Sequence, residues 1–78
     1  MTIRVLFLGR LQDVAGAAER EAAAAATVAG LIAGFDPALA EALRSPKVRV
    51  AVNGALAGLD APLANGDEVA FLPPVSGG

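Results

Sequence analysis

Residues 2–8 (TIRVLFL) are apolar over most of their length, residues 47–52 (KVRVAV) alternate between apolar and polar, and a helical spacing runs between them. In the first segment Ile3, Val5 and Phe7 share one face of an extended chain, and Arg4, Leu6 and Leu8 share the other. Both faces are largely apolar, as in a strand near the centre of a sheet. In the second, Val48, Val50 and Val52 fall on one side. Residues 9–16 (GRLQDVAG) predict one or two helical turns closed by Gly16. Residues 17–26 (AAEREAAAAA) have the highest helix propensity of the chain, and propensity alone makes them helix. Thr27 is an N-cap residue followed by Val28, Leu31, Ile32 and Phe35 at helical spacing, with Gly30 and Gly34 shortening that helix. Asp36-Pro37 is a cap followed by proline at the first helical position, so residues 38–44 predict a second short helix, ended by Ser45-Pro46. Asn53-Gly54 offers a tight turn into Leu56-Ala57.

The pattern closes on residues 65–78 (NGDEVAFLPPVSGG). Asn65-Gly66 is a turn signal, and residues 68–72 alternate well enough for a strand with one buried face. Pro73-Pro74 stops that strand, because proline donates no N–H and holds the preceding residue extended. Then come Val75, Ser76, Gly77 and Gly78. At an average usage of about 7%, two glycines occupy a given pair of positions in roughly half a percent of chains, so chance is a weak account of the diglycine. A trimmed or idle end is the competing account. An α-carboxyl titrates near ~3.5 and is inert at neutral pH until another enzyme activates it. Glycine suits such an end, since a backbone without Cβ enters channels too narrow for other residues.

Composition narrows the chemistry. With 78 residues the chain is one domain near the lower size limit for independent folding. It has no cysteine, histidine, tryptophan or tyrosine, hence no disulfide framework, thiolate site or imidazole base. Thr2, Thr27, Ser45 and Ser76 are its only hydroxyls, and nothing is present to activate one as a nucleophile. Gly9 and Gly16 lack the spacing and lysine of a phosphate loop, and the acids form no ligand-spaced cluster. Lys47, the only lysine, reads as a surface strand residue. No metal site, and no catalysis by the chain alone, is expected. No apolar run approaches the ~18 residues that span a bilayer, and no signal peptide is visible, so a soluble cytoplasmic protein without membrane contact is expected. The net charge is −2 and the six basic residues are dispersed, too sparse for a nucleic-acid stripe. From Asn53 onward the chain has Asp60, Asp67 and Glu68 and no basic residue, which predicts a positively charged receiving surface if that end docks.

Residues 69–78 (VAFLPPVSGG), with the Asn65-Gly66-Asp67-Glu68 turn before them, resemble the C-terminus of MoaD-type sulfur carriers, the molybdopterin synthase small-subunit branch of the MoaD/ThiS family. The likeness continues at the N-terminus, in residues 5–10 (VLFLGR) and 13–16 (DVAG), and covers nearly the whole chain, the middle matching in pattern more than in identity. It implies an α+β fold of the ubiquitin-like β-grasp type, a mixed sheet with helix on one face, in which the first and last strands are parallel neighbours at the centre. It implies a second strand near residues 19–24, against their helix propensity, and we take the strand because the sheet needs that partner. It divides the chain into a domain over residues 1–72 and a flexible tail over residues 73–78.

The resemblance also implies the function. Gly78 would be adenylated by an ATP-dependent MoeB-type activating enzyme and converted to a thiocarboxylate. The sulfur would then pass to the cyclic pyranopterin monophosphate in the large, MoaE-type subunit of a heterotetrameric synthase. No cofactor is bound; AMP and the thiocarboxylate are covalent intermediates at the tail. Gly77 would supply slimness, Pro73-Pro74 would hold the tail clear, and Phe71, Leu72, Pro73, Pro74, Val75 and Ser76 would form the proximal contact. If Ile3, Val5, Phe7, Val48, Val50, Val52, Val69 and Phe71 face the helices, then Leu6, Leu8, Ala51, Ala70 and Leu72 face outward, and Leu8, Leu72 and Leu56 are the docking candidates. Many relatives have phenylalanine where Leu8 and Leu72 stand and threonine where Ser76 stands, so contact area falls while its chemistry is kept. Three alternatives stay open: sulfur delivery to the thiamin thiazole or to tRNA, a ubiquitin-like modifier conjugated through Gly78, and a β-grasp adaptor whose diglycine is idle.

Overall fold

The computed structural model describes residues 2–74. Strand β1 (Thr2–Phe7) buries Ile3, Val5 and Phe7, the three residues expected to share one face, and turns Thr2 and Arg4 to solvent. Gly9 then adopts φ +55, a left-handed conformation, and α1 (Leu11–Ala15) follows, closed by Gly16 at φ +79. Strand β2 (Glu19–Ala23) runs back antiparallel to β1, pairing Glu19 with Leu6 and Ala23 with Thr2. Here tertiary pairing overrides helix propensity: β1 needs partners for its backbone groups on that side. The glutamates also suit an outer strand, where charge discourages pairing with other chains.

The two longer helices owe their starts to side chains and loop carbonyls. In α2 (Val28–Ala33) the Thr27 hydroxyl accepts from the Gly30 N–H at 3.1 Å, while Val28 and Ala29 donate to the carbonyls of Ala61 and Leu59. Gly34 caps its C-terminus after six residues, so Phe35 lies beyond the helix, half-buried and edge-on to Phe7 with ring centroids 5.9 Å apart. In α3 (Pro37–Leu43) Asp36 accepts from the Leu39 N–H at 3.2 Å and Pro37 takes the first turn.

Strand β3 (Arg49–Val52) begins later than the alternation predicts. Lys47 and Val48 belong to a turn in which the Val48 N–H donates to the Ser45 carbonyl, so Lys47 is not a strand residue. Asn53 and Gly54, at φ +51 and +85, make the hairpin turn into β4 (Ala55–Ala57). Strand β5 (Glu68–Leu72) completes a five-stranded sheet in the order β2-β1-β5-β3-β4. It is parallel to β1 and antiparallel to β3, so the first and last strands form the central pair. Buried Leu11, Val28, Leu31, Ile32, Leu39 and Leu43 pack on Ile3, Val5, Phe7, Val50, Val69 and Phe71, which places all three helices on one face of the sheet. No helix among the described residues is long and apolar enough to cross a membrane.

Candidate docking face and tail exit

Strand register determines what the helix-free face presents. Leu6 stands beside Ala70, Ala70 beside Ala51, and Ala51 beside Leu56, one apolar row across four strands. Toward the C-terminal end of β5 the next row holds Leu72 beside Arg49, with Leu8 just past β1, where its N–H donates to the Phe71 carbonyl at 3.1 Å. In the other direction Arg4 stands between Glu21 and Glu68 and within 3.8 Å of Glu19, so the apolar band has a charged border. Leu8 is 38% exposed and Leu56 69%, while Leu6, Ala51, Ala70 and Leu72 are half-buried. Leu56 is thus an open leucine continuous with other apolar side chains, the kind of exposed patch that marks either an interaction site or an aggregation hazard.

Phe71 is not part of that surface. Its ring is 1% exposed, faces the helices and stacks on Phe7 with centroids 6.0 Å apart. The expected proximal contact through Phe71 is therefore corrected to a core role, because alternation sends residue 71 inward when Ala70 and Leu72 point out. Leu72 keeps its place on the outer face, Pro73 is half-buried and Pro74 is exposed. Val75, Ser76, Gly77 and Gly78 lie outside the described residues.

The chain leaves β5 against Gly9. A Cβ built on that glycine would stand 2.9 Å from Cγ of Pro73, closer than real Cβ atoms come. The left-handed backbone and this close approach both favour glycine at position 9. Motif reading passed over Gly9 because a lone glycine before a helix carries no such signal. It also passed over Leu59, 46% exposed, which shares a shallow groove with Leu56, Pro46 and Arg44.

The far end of β5 is held by polar groups. Asp67 accepts from the Ala64 N–H at 2.8 Å and from the Asn53 side-chain amide at 3.1 Å, and these bonds hold its carboxyl below the usual value of 3.8. Asn53 in turn accepts from the Glu68 N–H at 3.0 Å, and the Asn65 side chain accepts from the Thr2 N–H at 2.8 Å. This lattice fixes β5 beside β1 and β3, and so fixes where its other end delivers the tail.

A five-stranded mixed sheet with parallel first and last strands and helices on one face defines a ubiquitin-like β-grasp domain. Over residues 5–78 the chain matches the ThiS family, and it belongs to that family. It is 42% identical to the molybdopterin synthase sulfur carrier subunit of Escherichia coli (strain K12), covering 97% of this chain and 99% of that protein. Its structure superposes with a TM-score of 0.81 on SAMP1 from Haloferax volcanii, at 29% identity over the whole of both chains. It superposes with a TM-score of 0.70, at 28% identity, on a chain of the complex of subunits 1 and 2 of the molybdopterin-converting factor from Helicobacter pylori 26695, again over the whole of both chains.

Proposed function

We propose that this chain is the sulfur carrier of a molybdopterin synthase. The observation that supports this best is a proline-directed exit from the central strand beside an uncovered apolar row, in a family member 42% identical to a named sulfur carrier subunit. In the proposed cycle the Gly78 carboxylate attacks the α-phosphorus of ATP on an activating enzyme, forming an acyl-adenylate and releasing pyrophosphate. A sulfide equivalent then displaces AMP at the acyl carbon and leaves a thiocarboxylate. Adenylation is needed because an oxide ion is a poor leaving group and AMP a good one.

The thiocarboxylate sulfur then bonds to a side-chain carbon of the cyclic pyranopterin monophosphate within the large subunit, displacing an oxygen substituent there, and water cleaves the acyl–sulfur bond, leaving the sulfur on the pterin and restoring the carboxylate. This chain supplies the carrier end at Gly78, the slim Gly77 before it, and a docking face of Leu8, Leu56 and Leu72. Acids, bases and phosphate contacts belong to the partners, and dependence on ATP places the cycle in the cytoplasm. Pairing with a large subunit is supported by the subunit 1–subunit 2 complex of the Helicobacter relative, and the heterotetramer of two small and two large subunits belongs to the same proposal.

The test is the intact mass of the protein incubated with its activating enzyme, ATP and sulfide. Exchange of oxygen for sulfur at Gly78 is the expected result. An unchanged end, with the enzyme active on another carrier, would exclude it. The fold similarity to SAMP1, the small archaeal modifier protein 1 of Haloferax volcanii, motivates a second reading as a protein modifier, for which lysine-linked Gly78 in cell extracts would be the mark.

A further inference from the structure

Counting charges along the chain predicts an acidic docking end, and the sheet reverses that prediction. Asp67 and Glu68 stand at the start of β5, whereas the tail leaves past Leu72, about 13 Å away at ~3.3 Å per residue. Antiparallel pairing brings Arg49 alongside Leu72, and Lys47 and Arg49 line one hollow with Pro46, Pro73 and Pro74. Arg44 borders the adjoining groove beneath Leu56. None of these three cations has a carboxylate side chain within ion-pair distance among the described residues, whereas Arg4, in the row facing Glu21 and Glu68, has Glu19. The two ends of the sheet thus differ in charge: positive where the chain leaves β5, acidic at the opposite end.

We propose that Lys47 and Arg49, with Arg44 behind them, form a positive flank that steers the tail toward an acidic rim on the large synthase subunit. This rests on the sulfur-carrier reading and specifies its partner's surface. Charges at one end of a small protein turn it during approach, so that the tail-bearing end arrives first, and raise the association rate without adding much to the lifetime of the complex. The apolar row supplies that lifetime. The flank is continuous with it through Arg49 and Leu72, so an acidic rim and an apolar patch on the partner would be met together.

The experiment measures association of the protein with the purified large subunit by stopped flow across a salt series. Lys47→Glu/Arg49→Glu is expected to associate at least tenfold more slowly at low ionic strength, with the difference largely gone near ~0.5 M salt, and with dissociation changed less than threefold. Lys47→Gln/Arg49→Gln should fall between it and the wild type, and Arg4→Gln should stay within twofold. Unfolding midpoints establish that each variant is folded, and the neutral pair carries the test if the reversed pair is not. Equal rates and equal salt slopes for wild type and variants would overturn the steering proposal alone. Absence of any complex with wild-type protein would overturn it together with the sulfur-carrier reading, and the mass measurement at Gly78 would report that second failure independently.

Discussion

Gly9 and Pro73 touch where two parallel strands end: the Cβ that Gly9 lacks would lie 2.9 Å from Cγ of the proline. Residue 9 turns the chain away from β1 with a left-handed φ of +55, and the space this leaves is taken by the first residue after β5. The direction in which the tail departs is set by a residue 64 positions earlier in the chain.

Gly9→Ala therefore has two effects. The left-handed backbone costs a residue with Cβ about 1–2 kcal/mol, and the new methyl must displace Pro73. A lower urea midpoint is expected, with adenylation by the activating enzyme slowed further than the loss of folded protein explains. The discharge of ATP to pyrophosphate, measured on fully folded variant at low temperature, checks this.

On the proposed docking role, Leu56 separates partner binding from folding. At 69% exposure its truncation leaves stability within about 0.5 kcal/mol. Leu56→Asp is expected to weaken binding to the large subunit by at least about tenfold, or ~1.4 kcal/mol. Calorimetric titration beside a thermal melt reads both quantities. Leu8→Ala should act in the same direction and less strongly, since less of its side chain is open.

Phe71 behaves oppositely. Its ring is 1% exposed between Phe7 and the helices, and removing a buried phenylalanine ring costs roughly 3–5 kcal/mol. Small domains have a total stability of about 5 kcal/mol at the low end. Phe71→Ala is expected to sit at or near its unfolding transition by circular dichroism at 37 °C, and its loss of partner binding would report unfolding rather than a lost contact.

Asp67 links acid to stability. Its carboxyl is held below 3.8 by the Ala64 N–H first and the Asn53 amide second. Because the folded value is depressed, the stabilisation is fully present above the unfolded pKa and is lost as pH falls through the lower folded one. Asp67→Asn should flatten the dependence of the urea midpoint on pH below about 4 and leave the profile near neutrality parallel to that of the wild type.

Much of the fold was legible because its signals are local. Thr27, Asp36-Pro37 and Asn53-Gly54 each carry their own mechanism, and the caps and the hairpin turn stand where those residues put them. Asn65-Gly66 is also a turn, although only Gly66, at φ +87, uses the left-handed region there. Residues 19–23 were legible only through the resemblance, because an alanine-rich stretch becomes a strand when a neighbour offers it a ladder, and no local propensity encodes that offer.

The docking face was half legible. Alternation placed Leu6, Ala70 and Leu72 outward, yet the same alternation makes Phe71 a core residue. The charge of the tail exit was invisible along the chain, since Arg49 reaches Leu72 only through antiparallel pairing. Arg20 shows the same limit: its guanidinium binds the Ala15 carbonyl and lies over the Phe35 ring, closing α1 onto the core from a strand in which only Ala22 is otherwise partly buried.

The parallel pairing of β1 with β5 also makes the docking face a test of whether synthesis is complete. Loop closure between Thr2 and Asn65 spans 63 positions, so the central ladder is among the last features a growing chain can form. A nascent or truncated product stopping before Glu68 has neither the row from Leu6 to Leu56 nor a covered Ile3, Val5 and Phe7. Such fragments have nothing to compete with for the partner. A partner that docked on the proposed face would thereby accept only chains whose translation has passed the strand from which the tail departs.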